Sequence, residues 1–122
     1  MRKRLLTASL LVALGGGAAS SDASSQQFVA RQSAMASWYG PGLYGNSLAC
    51  GGRLYTNTWG VAHKYLPCGT RLKLCYRRCV NVRVIDRGPF VAGRDFDLTY
   101  PVMRAIGMYG GVARIRYYIR GH

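Results

Sequence analysis

The chain has 122 residues, with 17 Lys+Arg against 4 Asp+Glu and a formal net charge of +13. Past residue 25 its only acidic residues are Asp86, Asp95 and Asp97. Chemistry that needs carboxylates spread along the chain is therefore excluded, and any carboxylate chemistry is confined to one short stretch.

The chain opens on Arg2-Lys3-Arg4, followed by the apolar run Leu5 to Leu14 and the small residues Gly15 to Ser21. A basic cluster, an apolar run and a small-residue zone, in that order, predict a secretory signal peptide. The run falls well short of the roughly 20 residues that span a bilayer. A buried N-terminal helix is the competing reading, and the basic cluster argues against it. Cleavage after Ala19, Ser21 or Ala23 fits equally. No cysteine lies near that zone, so lipid attachment there is not expected, and no second apolar segment follows. Residues 24–33 are Ser/Gln-rich without apolar periodicity and read as a flexible leader. The expected organisation is a signal peptide over 1–23, a leader over 24–33 and one compact domain over 34–119. The product is expected to be a secreted, soluble monomer with no transmembrane segment. A domain of that size buries a limited core and often needs covalent staples.

Within the domain, Met35 to Gly40 reads as a short strand ending at Gly40-Pro41-Gly42, and a loop follows through Asn46-Ser47. Gly60-Val61-Ala62-His63 is a short strand and Leu66 to Gly69 a turn. Thr70 to Tyr76 alternates, with Leu72 and Leu74 opposite Arg71 and Lys73. Val80 to Ile85 repeats the pattern, with Val80, Val82 and Val84 opposite Asn81 and Arg83. A hairpin joins these two strands. Thr99 to Ile106 is helix-like, with Thr99 as cap, Pro101 in the first turn and Gly107 as stop. Val112 to Ile119 is the last strand, with Ala113, Ile115, Tyr117 and Ile119 on one face. Short strands, many glycines and one small helix suggest an all-β domain closed as a barrel rather than a sandwich.

Four cysteines, Cys50, Cys68, Cys75 and Cys79, allow three pairings. Cys75 and Cys79 enclose only Tyr76-Arg77-Arg78, so a bond between them would clip the hairpin turn and leave Cys50–Cys68 as the longer bridge. A four-thiol zinc cage is the rival, and export from the cytoplasm favours disulfides. Without Arg2, Lys3, Arg4 and Asp22 the balance is 14 basic to 3 acidic residues, a net charge of +11. Such a surface attracts polyanions. For an exported chain these are anionic cell-wall polymers, glycans or lipid head groups rather than nucleic acid. A solvated basic surface with no specific ligand is the bland alternative.

Ala36-Ser37-Trp38-Tyr39-Gly40, Val61 to Thr70, Val82 to Phe90 and Gly93 to Thr99 occur in an order that resembles the double-psi β-barrel of the rare lipoprotein A (RlpA) family, which is related to the barrel of expansins. Cys50 and Cys68, with Gly110-Gly111-Val112, are similar to secreted actinobacterial-type versions. The resemblance covers about 34–119. It implies a six-stranded double-psi β-barrel with an open groove for glycan. It further implies one of two activities: lytic transglycosylase action on peptidoglycan, or expansin-like binding and loosening of polysaccharide without cleavage. The implied partner is peptidoglycan or another cell-wall polysaccharide, and no cofactor or metal is implied.

A lytic transglycosylase needs one carboxylic acid to protonate the glycosidic oxygen and then accept the proton of the substrate's C6 hydroxyl, without the second carboxylate that activates water in a hydrolase. Asp86 matches the groove aspartate of the family motif and is the expected acid/base, although an Asx-turn role before Gly88-Pro89 suits it as well. His63 matches the groove histidine and would orient Asp86 or bind a sugar hydroxyl. Tyr39, Arg87 and Asp97 are expected substrate-binding residues, with helix capping the alternative for Asp97. Asp95 is expected to be solvated or paired with an arginine. Trp38, Tyr44, Tyr55 and Trp59 are further candidate sugar platforms, although aromatics in a small barrel more often plug the core. One position departs from the family: the glutamate of catalytic members is here Gly52. That departure favours the binding-only alternative and leaves Asp86 as an isolated acid.

Overall fold

The computed structural model describes residues 31–120. The expected signal peptide and most of the expected leader lie outside them. Six strands, β1 (Gln32–Trp38), β2 (Val61–His63), β3 (Arg71–Cys75), β4 (Cys79–Asp86), β5 (Phe96–Leu98) and β6 (Ala113–Ile119), and one helix, α1 (Tyr100–Ala105), follow in chain order. The strands close into a barrel in the order β1-β5-β2-β4-β3-β6. The β1–β5 and β2–β4 pairs are parallel and the remaining pairs antiparallel. This closed, mixed, six-stranded topology is that of the expected double-psi β-barrel.

Alternation in the sequence determines which side chains enter the barrel, because successive strand residues point to opposite faces. Leu72, Leu74, Val82, Val84 and Ile115 are buried, while Asn81, Arg83, Arg114 and Arg116 between them are exposed. Val61, Phe96 and Leu98 complete the interior, and Val102, Met103 and Ile106 of the α1 segment join the same core. Fully burying each large apolar side chain contributes about 1.5–3 kcal/mol, so this cluster is the main source of stability.

Three local expectations change. β1 begins at Gln32, inside the stretch read as leader, because Gln32 and Ser33 pair with Tyr117 and Arg116 of β6. β5 was not expected: three residues are too few to display a period, and tertiary pairing on both sides makes the strand. Thr99 occupies the N-cap position of α1, but its hydroxyl makes no capping bond and instead accepts the Gly60 N–H at 3.3 Å. Gly107 ends the helix with φ +88°, a left-handed conformation that favours glycine.

Both disulfides form as expected, Cys50–Cys68 and Cys75–Cys79. Cys75 and Cys79 are the last register pair of the β3–β4 hairpin. The group of cysteines is thereby consumed, and no cluster of metal-ligating side chains exists among the described residues. No helix among them is long and apolar enough to cross a membrane.

Candidate functional site

The site is a row of side chains laid across four neighbouring strands. Ser37 of β1 is in register with Asp97 of β5, Asp97 with Ala62 of β2, and Ala62 with Asp86 of β4. Register partners project from the same face of a sheet, so two carboxylates flank one alanine methyl. With strands about 4.8 Å apart, the two aspartate Cα atoms lie roughly 10 Å from each other.

A bulge makes this possible. Between Val61↔Val84 and Ala62↔Asp86 the register shifts, so that one step on β2 spans two on β4. Simple alternation would send Asp86 into the core behind Val82 and Val84. The extra residue re-aims it to the face of Ala62. It also places Ile85 against a second, smaller core of Tyr39, Leu48, Leu54 and Ala62. This core lies beneath the loop of residues 40–60.

The loop and the barrel hold the carboxylates in place. Asp86 Oδ1 accepts the Ala49 N–H at 2.7 Å, and the neighbouring Cys50 N–H donates to the Ile85 carbonyl at 3.1 Å. Asp97 Oδ1 accepts the Ser37 hydroxyl at 2.5 Å. Asp97 is therefore a strand residue in the row, not a helix cap. Tyr39 follows β1, donating its backbone N–H to the Leu98 carbonyl at 3.1 Å. Its side chain is buried, and its hydroxyl has no hydrogen-bond partner. Burial first, then the negative charges of Asp86 and Asp97, push the Tyr39 phenol well above its ordinary range. Tyr39 is thus a neutral hydroxyl under the influence of both carboxylates.

His63 and Arg87 do not join the row. His63 is adjacent to Ala62 on β2, so alternation turns it to the opposite face, where its ring packs on Phe96 with centroids 4.8 Å apart. Its Nδ1 accepts the N–H groups of Tyr65 and Leu66, both at 3.1 Å. Burial lowers the His63 pKa, Asp95 opposes that shift, and Lys64 and Arg87 add to it. The expected His63–Asp86 pairing gives way to a histidine that organises the following turn. Arg87 donates to the carbonyls of His63 and Leu66 at 3.1 and 2.8 Å. It braces the same turn instead of presenting its guanidinium to a groove. Asp95 exchanges hydrogen bonds with the backbone of Met35 on β1, accepting its N–H through Oδ2 and donating its own N–H to the Met35 carbonyl.

Gly52 lies in the turn of the covering loop, with φ +77° and its carbonyl bonded to the Leu48 N–H at 2.9 Å. No acidic side chain stands there. The second carboxylate of the site comes from Asp97, on a different element from the family glutamate. Among the aromatics, Trp38 packs on Tyr100 and over Gly40, and Tyr44 joins the small core. The aromatic rings with the greatest exposure are Tyr65 at 82% and Phe90 at 81%, on the turns that follow His63 and Asp86. Neither was singled out from the sequence. Position in a motif does not indicate exposure, although Phe90 after Gly88-Pro89 was a legible signal.

A double-psi barrel bearing a carboxylate row beneath a disulfide-tied loop defines a class of domain, and comparison with known proteins places the chain within it. The family described as lytic transglycolase matches residues 31–117. The chain belongs to this RlpA-like double-psi β-barrel family. A probable endolytic peptidoglycan transglycosylase RlpA of Synechocystis sp. is 46% identical over 85 residues, covering 66% of this chain and 26% of that protein. The endolytic peptidoglycan transglycosylase RlpA of Campylobacter jejuni is 43% identical over 91 residues, covering 71% of this chain and 33% of that protein. The chain thus spans about a quarter to a third of the length of these curated relatives. Among solved structures, an apo expansin of Clavibacter michiganensis is similar in fold, with TM-score 0.58 and 24% identity, over 74% of this chain and 50% of that one. The Streptomyces papain inhibitor is similar in fold at TM-score 0.56 and 19% identity, over 75% of this chain and 96% of that one.

Proposed function

We propose that this protein is exported, loses residues 1–23, and acts on the glycan strands of cell-wall peptidoglycan as a lytic transglycosylase. The observation that carries the reading is the row Ser37–Asp97–Ala62–Asp86, with the buried, unpartnered hydroxyl of Tyr39 beside it. Asp86 is the acid/base. The Ala49 N–H holds Oδ1 and leaves Oδ2 to protonate the glycosidic oxygen and then take the proton of the substrate's C6 hydroxyl. Atoms balance without water: the C–O bond to the leaving sugar breaks and an internal anhydro bond forms. Asp97, fixed by Ser37, lies across Ala62, where a second negative charge favours the positive character that develops at the anomeric carbon. Tyr39, packed in the small core with its phenol kept neutral by burial and by both carboxylates, supports the row without itself meeting the sugar. The names of the RlpA relatives support peptidoglycan as the substrate.

A second reading rests on Gly52. With no carboxylate at the family's glutamate position, the domain would bind or loosen polysaccharide without cutting it, in the manner suggested by the expansin-like fold. Digestion of purified peptidoglycan, intact and stripped of stem peptides, separates the two when products are read by mass spectrometry. Anhydro-ended fragments that disappear with Asp86→Asn support the enzyme. Co-sedimentation with the wall and no fragments supports the binding module and ends the catalytic reading.

A further inference from the structure

A second feature gathers where the turn of the β3–β4 hairpin meets the C-terminus of α1. Arg77 and Arg78 occupy that turn, between the bonded Cys75 and Cys79, and Arg104 lies in the last turn of the helix. Arg78 donates through Nε to the Ala105 carbonyl at 2.9 Å and through Nη2 to the Arg104 carbonyl at 3.2 Å. Arg77 donates to the Gly107 carbonyl at 3.2 Å. Its stem packs so closely on Gly107 that a Cβ there would lie 2.9 Å from Arg77 Cβ. Tyr109 stands between the two elements. Its hydroxyl bonds with Arg78, and the Arg104 guanidinium lies 4.9 Å from its ring centre. Arg104 also donates to the Tyr100 hydroxyl at 3.2 Å.

Three exposed arginines thus converge on one exposed phenol, and their partners are neutral: carbonyls, hydroxyls and aromatic rings. The three carboxylates among the described residues are held elsewhere, by Ala49, Met35 and Ser37. The positive field is felt locally. Arg78, by hydrogen bond and charge, and then Arg104 and Arg77 hold the Tyr109 phenol below its ordinary range. Capping the helix does not require this arrangement. Arg78 serves the carbonyls of Arg104 and Ala105, whereas the Arg104 guanidinium serves none of them. Like charges drawn together oppose folding. The carbonyls and hydroxyls also use only part of the N–H donors that each guanidinium carries. Between Arg77 and Tyr109 opens a depression of about 200 Å³, walled also by Tyr76, Gly107 and Gly110 and by no acidic side chain.

We propose that Arg77, Arg78 and Arg104, set around Tyr109, bind a phosphate group of a phosphodiester polymer. A flat carboxylate accepts one guanidinium fork, whereas a phosphate offers oxygens in several directions and suits guanidiniums that arrive from a hairpin turn and a helix. Carbonyl bonds already fix Arg77 and Arg78, and the Cys75–Cys79 bridge clips their turn, so little ordering cost remains on binding. The turn lies at the opposite end of the hairpin from Asp86. A polyanion held there tethers the protein and leaves the carboxylate row open, and its binding does not depend on cleavage at Asp86.

Arginine Nε–H resonances of the ¹⁵N-arginine-labelled protein report on each guanidinium separately. Linear poly(glycerol phosphate), polygalacturonate of matched charge and phosphatidylglycerol vesicles are each titrated in. The expected result is a saturable shift of the Arg77, Arg78 and Arg104 resonances with poly(glycerol phosphate), while those of Arg53 and Arg83, exposed elsewhere on the domain, stay nearly still. Polygalacturonate and the vesicles should bind more weakly. Arg104→Gln, which removes no bond to a helix carbonyl, should weaken binding about tenfold. Arg78→Lys keeps the charge but loses the fork, and should weaken it as well. Arg53→Gln removes the same charge as Arg104→Gln from another face and should leave binding unchanged. The proposal is overturned if poly(glycerol phosphate) leaves the three resonances still or moves all arginines alike. It is also overturned if either other probe binds as tightly, or if Arg53→Gln weakens binding as much as Arg104→Gln.

Discussion

Asp86 and Asp97 stand on either side of Ala62, each a register partner of that one residue on opposite edges of β2. From the sequence Asp86 is an isolated acid. In the fold it is half of a carboxylate pair whose other half arrives from a strand of three residues.

The pair predicts a particular pattern in mutant kinetics. Asp86→Asn and Asp97→Asn should each reduce release of anhydro-ended fragments by roughly 100-fold or more, the scale of a lost acid/base or electrostatic group. The double variant should be little worse than the weaker single, because residues that act as a unit are not additive. Initial rates on stripped peptidoglycan test this. Additive losses would mean that the two carboxylates act independently.

Ser37 connects with only one member of the pair. Ser37→Ala leaves the partly buried Asp97 without its hydroxyl donor. It should lower stability by about 1–2 kcal/mol and reduce activity less than Asp97→Asn does. Chemical denaturation and the fragment assay together check this. A Ser37→Ala enzyme as impaired as Asp97→Asn would give the hydroxyl a direct role.

Much of the barrel was legible because β3, β4 and β6 are long enough to show their period: Leu72, Leu74, Val82, Val84 and Ile115 all enter the core as alternation requires. The cysteine pairing was legible because three intervening residues suit a hairpin clip. The site was harder. Phe96-Asp97-Leu98 is too short to announce a strand, and only pairing with β1 and β2 reveals that Asp97 shares a face with Asp86. His63 and Arg87 belong to matching motifs, but motif membership does not specify the face. Strand alternation and the carbonyls of the 63–66 turn decide that.

His63 makes stability depend on pH in a predictable direction. Its pKa in the fold lies below the usual value of 6.5, chiefly through burial. As pH falls below about 6.5 the unfolded chain takes up the proton first, so protonation favours unfolding. The contribution is complete above that pH and is lost as pH falls from there toward the folded-state pKa. Melting temperatures from pH 8 to pH 5 should decline more steeply for the native chain than for His63→Asn, whose side-chain oxygen can still accept the Tyr65 and Leu66 N–H groups. Parallel profiles would remove His63 from the effect.

Gly60 tests how tightly the bulge is packed. A Cβ there would lie 2.5 Å from Ile85 Cδ1, and Gly60 also donates to Thr99 inside the fold. Gly60→Ala should therefore cost about 1–3 kcal/mol through overpacking. Because Ile85 precedes Asp86, it should also disturb the row. Combining it with Ile85→Val should recover part of the stability, and a double variant no more stable than Gly60→Ala alone would rule out the clash as the cause.

The two disulfides should differ in what they protect. Cys50–Cys68 closes a separation of 18 residues and Cys75–Cys79 one of 4. By loop-closure entropy their removal costs about 3 and about 2 kcal/mol respectively. The functional contrast should be larger. Cys50 adjoins Ala49, whose N–H holds Asp86, and its own N–H bonds the Ile85 carbonyl. The bridge therefore anchors the covering loop to the turn that His63 and Arg87 organise. The paired Cys50→Ser, Cys68→Ser variant, assayed well below its melting temperature, should lose most glycan cleavage. The paired Cys75→Ser, Cys79→Ser variant should retain it, since that clip lies at the far end of the β3–β4 hairpin from Asp86. Equal activity losses in the two variants at matched fractions folded would show that the bridge near Ala49 does no more than stabilise the barrel.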